Sequence, residues 1–144
     1  MKQIAIAGLG VVGGGVADLL VNHAAVIEKN AGEEVRLEAV FTRTKKPDSP
    51  FASYFVSDFS EIEKDPEIET IGGCTVALDV VTRALKAGKH VVTANKQLVA
   101  EHGLELFALA KANGVNFLFE ASVAGGIPVL NPLTRCLGAN EITE

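Results

Sequence analysis

Short apolar runs and amphipathic stretches take turns along this chain. The run Ile4-Ala5-Ile6-Ala7 predicts a strand. A glycine turn, Gly8 to Gly13, leads into an amphipathic stretch from Val16 to Ile27, with Val12, Val16, Leu19, Leu20, Val26 and Ile27 on one helical face and an end near Gly32. Val35 to Phe41 alternates as a second strand, and Thr42 to Pro50 is polar, with two prolines, and reads as a loop. Tyr54-Phe55-Val56 is a short strand candidate, and Asp58 with Glu61 resembles a capping box for a brief helix. Ile68 to Ile71 is a further strand candidate despite Glu69, with Gly72-Gly73 expected to turn the chain. Val76, Ala77, Val80, Val81, Ala84 and Leu85 form the face of a helix that stops at Gly88. His90 to Thr93 is a strand, Leu104 to Ala112 a helix, Asn116 to Phe119 a strand, and Pro128 to Leu137 a helix with proline in its first turn.

This βαβα order predicts an α/β fold: a Rossmann-type, doubly wound, mostly parallel sheet with helices on both faces. Such sheets bind ligands at the carboxyl ends of their strands. Four segments are expected there: Gly8–Gly13, Arg43–Lys46, Gly72–Cys74 and Thr93–Lys96. The 144 residues suit one domain, and 48% hydrophobic with 22% charged residues is globular composition. A net charge of -5 argues against a general nucleic-acid binder, which needs a basic face. Apolar runs are too short for a membrane span, and the start of the chain has no signal-peptide pattern. Cys74 and Cys136 lack metal spacing and read as free thiols, so a cytoplasmic protein is expected.

The glycine loop carries the first chemistry. Gly8 permits a tight turn, Gly10 lets a pyrophosphate approach the backbone, and Gly13 lets helix and strand pack closely. The amides at the helix start, including those of Val11 and Val12, then face the phosphates. The second strand ends without the Asp or Glu that accepts from the ribose 2′-hydroxyl of NAD. Arg43, Lys45 and Lys46 stand there instead, and Arg43 could fork onto a 2′-phosphate, so NADP(H) is favoured over NAD(H). By chemistry alone, Lys96 could reach the cofactor or a substrate carboxylate but is better read as an ordinary helix-start lysine, and Glu120 to Pro128, whose oxygens would suit a hard cation, is better read as a tight turn. Cys74 could be a thioester-forming nucleophile, but no histidine is placed to activate it. His23 falls on the apolar side of its helix, His90 starts a strand and His102 reads as a loop residue, so a small buried thiol is the better reading.

Three segments together resemble the nucleotide-binding domain of homoserine dehydrogenase: Gly8 to Val16, Ala87 to Lys96, and most specifically Phe119-Glu120-Ala121-Ser122-Val123-Ala124-Gly125-Gly126-Ile127-Pro128. The resemblance runs from Lys2 to the end of the chain. It implies NAD(P)H-dependent reduction of aspartate 4-semialdehyde to homoserine, on the route to threonine, isoleucine and methionine. It implies that Gly8, Gly10, Val11, Val12 and Gly13 hold the pyrophosphate, with Arg43 and Lys45 near the adenosine ribose. Gly73, Cys74, Thr93, Ala94 and Lys96 would line the nicotinamide side, and a sodium ion would lie on oxygens of Glu120, Val123, Gly125 and Ile127. It also implies a small-molecule substrate and a homo-oligomeric full-length enzyme.

Two departures matter. The family has a longer apolar strand before the glycine pair than Pro66 to Ile71 supplies, so disturbed packing is expected there. The resemblance also implies a second domain, for substrate and dimerisation, with the proton-relaying lysine beyond Glu144. Residues 1–138 would then be the dinucleotide-binding domain and 139–144 the start of the crossing. Two other readings stay open: a non-catalytic dinucleotide-binding module, and another two-domain semialdehyde reductase or dehydrogenase using Cys74.

Overall fold

The computed structural model describes residues 1–43, 47–65, 68–73 and 78–136. Among the described residues, six parallel strands form one sheet in the order β3-β2-β1-β4-β5-β6. They are β1 (Lys2–Ala7), β2 (Val35–Phe41), β3 (Phe55–Val56), β4 (Ile68–Gly73), β5 (His90–Thr93) and β6 (Phe117–Leu118). The helices are α1 (Val11–Asn22), α2 (Ala24–Ala31), α3 (Phe59–Lys64), α4 (Leu78–Lys86) and α5 (Lys96–Ala112). Short 3-10 turns cover Ala52–Tyr54 and Glu120–Ser122, and a π-helical segment covers Pro132–Cys136.

The central strand explains the layering. In β1, Ile4 and Ile6 point to one face and Ala5 and Ala7 to the other. Ile6 packs with Ala17 and Leu20 of α1 and with Leu37, Val40 and Phe51. Ala5 and Ala7 join a larger core built from Phe59, Ile62, Val81, Leu85, Leu98 and Leu106 of α3, α4 and α5. A strand covered on both faces reads as continuously apolar, which is the pattern at Ile4–Ala7.

Several expected boundaries move. The first helix is two helices, bent by 85° at His23, which caps the end of α1 and the start of α2. His23 is exposed, not on an apolar face, and Leu19 and Val26 are more than half exposed. Only Val16, Leu20 and Ile27 of the expected face pack onto the sheet; Val12 does not. Past the bend, Ile27 of α2 still packs against the same core before the chain enters β2. Gly72 and Gly73 do not turn the chain. They continue β4, pairing with Val92 and Thr93 of β5, while Ile6 of β1 pairs with Gly72 on the other side. The short segment before the glycine pair therefore still makes an interior strand. It gains length by absorbing glycines, whose backbone hydrogen bonds need no side chain. α5 starts at Lys96, well before Leu104, because the Asn95 side chain accepts from the Leu98 amide at 3.1 Å and caps it. His102 accordingly lies inside α5 and not in a loop. At the end of the chain, Leu137 and residues 139–144 of the expected crossing lie outside the described residues, as do Val76, Ala77 and the Pro66–Glu67 part of the shortened segment.

The capping box holds: Ser60 donates to Asp58 at 2.7 Å, and the Asp58 amide to Glu61 at 2.9 Å. α3 is then stapled to α4 by Arg83, whose guanidinium donates to Glu63 at 2.6 Å and lies 5.1 Å over the Phe59 ring. The hydrogen bond from Arg83 holds the Glu63 carboxyl below its ordinary 4.5. A lowered carboxylate pKa adds stability above 4.5 that is lost as pH falls through the lowered value. Arg83→Met is therefore expected to flatten the acid side of the stability curve below about pH 4.5, as read by urea midpoints across pH. An unchanged acid slope would show that Arg83 acts only by packing on Phe59. Lys89 is buried at the start of β5, and its ammonium donates to the Asp65 carbonyl just before β4. Burial pushes its pKa down, with the Asp65 charge opposing.

Candidate dinucleotide site

The strand order puts a topological switch between β1 and β4. The chain leaves β1 toward β2 and β3, and returns to β4 on the opposite side. In sheets of this kind the crevice at that point binds the ligand. The Gly8–Gly13 loop leaves β1 there. Gly8 has φ of 102°, a left-handed conformation open to glycine, and its amide donates to the Phe41 carbonyl at 2.7 Å. A Cβ on Gly13 would lie 1.9 Å from the Gly8 carbonyl oxygen, so only glycine allows α1 to start this close to the turn.

The N-terminus of α1 is open. Gly10 is its cap and supplies no side-chain hydrogen bond, and no acidic residue sits in the first turn. Val11 is 96% exposed, so its side chain does not cover the helix start. The amides of Val11, Val12 and Gly13 point out of the helix end, where the dipole favours anions.

The remaining site residues line the same edge. Arg43 is exposed and follows Phe41 by two positions, so the Gly8–Phe41 hydrogen bond ties its loop to the glycine turn. Gly73 ends β4 and pairs with Thr93. Thr93 is buried at the end of β5, its hydroxyl accepting from the Asn95 amide at 3.1 Å. Ala94 is half-buried, and Lys96 is the exposed first residue of α5. Lys45 and Cys74 lie outside the described residues.

Glu120 follows β6. Its Oε1 accepts from the amides of Val129 at 2.6 Å and Leu130 at 2.8 Å, and its Oε2 from Asn131 at 2.9 Å. Burial raises its pKa, but the three amides outweigh that and hold the carboxyl below its ordinary value. Ala124 and Gly125 are both left-handed, with φ of 54° and 62°, and turn the chain toward Ile127. For a sodium ion, the carboxylate fits poorly as a ligand, because three donors already engage it. The main-chain oxygens of Val123, Gly125 and Ile127 are the chemically suitable part of the set. Ser122 donates from its hydroxyl to the Thr93 carbonyl at 2.9 Å, fixing this turn to the end of β5. Sequence spacing did not reveal that link or the amides around Glu120.

The profile of the family described as "Homoserine dehydrogenase, NAD binding domain" matches residues 8–120. The chain belongs to this family. Among curated relatives, homoserine dehydrogenase of Pseudomonas aeruginosa is 42% identical over 145 residues, covering 97% of this chain and 33% of that protein. That of Neisseria gonorrhoeae is 39% identical, covering 97% and 34%. The chain thus spans about one third of the length of these relatives. The crystal structure of a homoserine dehydrogenase from Thiobacillus denitrificans superposes with a TM-score of 0.86 at 39% identity, over 96% of this chain and 34% of that one. A hyperthermophilic archaeal homoserine dehydrogenase in complex with NADPH shares the fold, with a TM-score of 0.73 at 23% identity, over 92% of this chain and 48% of that one. Family and structure agree on a Rossmann-type NAD(P)-binding domain. Among the described residues no single helix is long and apolar enough to cross a membrane. α1 and α2 pass only as a pair, bent by 85°.

Proposed function

We propose that this chain is the cofactor-binding part of a homoserine dehydrogenase and that it takes NADP(H) in preference to NAD(H). The observation that carries the reading is the uncapped start of α1 at the switch point, with Arg43 beside it and no carboxylate at the end of β2. The backbone amides of Gly10, Val11, Val12 and Gly13 hold the pyrophosphate, and Gly8 sets the turn. Arg43, with Lys45, pairs with the 2′-phosphate through charge-assisted hydrogen bonds. Gly73, Thr93, Ala94 and Lys96, with Cys74, form the nicotinamide side. The bound cofactor supplies a hydride for the aldehyde carbon of aspartate 4-semialdehyde, giving homoserine. This chain's own contribution is to bind and orient.

In this reading residues 1–138 form the dinucleotide-binding domain. The whole enzyme acts on a small-molecule substrate in the cytoplasm as a homo-oligomer, with groups outside residues 1–144 transferring the proton. The 144 residues alone are expected to quench or shift NADPH fluorescence with saturable binding while turning over homoserine at a small fraction of a full enzyme's rate. Full steady-state turnover from this chain would sink the division of labour. Absence of saturable NADPH binding would sink the assignment of the loop.

A further inference from the structure

The turn Glu120–Ser122 holds two parts of the molecule through its side chains. On one side, the Ser122 hydroxyl donates to the Thr93 carbonyl at 2.9 Å, at the end of β5. On the other, the Glu120 carboxylate collects the amides of Val129, Leu130 and Asn131 at the entry to the last helical segment. The turn is itself closed by the Ser122 amide on the Phe119 carbonyl at 2.9 Å and the Val123 amide on the Glu120 carbonyl at 3.2 Å. These are short, local bonds, so a displacement at one end is passed to the other.

We infer that Ser122 and Glu120 are positioning residues: together they clamp the carboxyl end of β5 against the last helical segment and so set the nicotinamide half of the site. The inference rests on the dinucleotide reading of Thr93–Lys96. In it the Glu120 carboxylate serves as an anchor for main-chain amides. The Ser122 hydroxyl bonds the end of β5, so its effect is expected in the nicotinamide half of the ligand.

The test uses the whole 144-residue chain with two probes. NADPH spans both halves of the site; adenosine 2′,5′-bisphosphate occupies the adenosine half alone. Ser122→Ala removes one neutral hydrogen bond and is expected to weaken NADPH about threefold to tenfold. It should leave the bisphosphate unchanged, and Ser122→Thr, which keeps the hydroxyl, should restore NADPH. Glu120→Gln should speed amide exchange at Leu130 and Asn131 and weaken NADPH alone in the same way. Equal weakening of both probes, or of neither, overturns the clamp. A wild-type chain that binds neither probe overturns the dinucleotide reading instead. In that case exchange at Leu130 and Asn131 in Ser122→Ala still decides whether the two ends are coupled: unchanged exchange overturns the clamp.

Discussion

Gly13→Ala is expected to raise the Kd for NADPH by about 100-fold or more, the loss of two charge-assisted hydrogen bonds of about 1.5–3 kcal/mol each. The new Cβ would stand 1.9 Å from the Gly8 carbonyl oxygen, 3.1 Å from its carbon and 3.4 Å from Ile6 Cγ2. Gly8 cannot yield, because its φ of 102° and its hydrogen bond to Phe41 both fix it. α1 must move away from the turn instead, and its amides leave the phosphate position. The same shift opens the contact between Ile6 and α1, with a stability cost of about 1–3 kcal/mol typical of overpacking. Gly14 and Gly15 are the controls. A Cβ at either meets nothing within 4 Å, so Gly14→Ala and Gly15→Ala should bind normally and gain about 0.5–1 kcal/mol from reduced backbone entropy loss. Isothermal titration with urea melts separates the cases. Normal NADPH affinity in Gly13→Ala would mean that the loop is a packing turn and nothing more.

Arg43→Ala is the second large effect, and it is selective. A guanidinium pairing with a phosphate is worth about 1.5–3 kcal/mol, or roughly 10- to 150-fold in Kd. Only NADPH carries that phosphate, so NADH affinity should change less than about twofold, the scale of an exposed surface contact. Raising salt should narrow the NADPH–NADH difference, since Arg43 is exposed and its field is screened. Equal losses for both cofactors would reduce Arg43 to a solvated loop residue.

The sheet and its switch point were legible because their signals are local. An apolar run marked β1, alternation marked β2, and Asp58 with Glu61 marked the start of α3. β4 was only half read. Its charged Glu69 and its two closing glycines disguise a strand whose identity comes from pairing with Ile6 and Thr93 on either side. The bend at His23 was invisible for a related reason: Leu19 and Val26 match the helical period but find no sheet beneath them. The glycine turn between β1 and α1 was legible from its strand and helix context together with its spacing. The capture of three amides by Glu120 was not, since its partners lie nine to eleven positions later. Nothing in the sequence marks Lys89 as buried; its ammonium is satisfied by the Asp65 carbonyl, a partner far away in the chain.

The placement of β4 between β1 and β5 also bears on how the domain folds. β1 and β2 are joined only by α1 and α2, so their pairing closes a modest loop. Joining β1 to β4 encloses β2, β3 and α3 as well, and the entropic cost of closure rises with that length. The half built on β1, α1, α2 and β2 can therefore assemble as an early unit. β4 then docks onto the waiting edge of β1, and the ligand crevice comes into being with that late event.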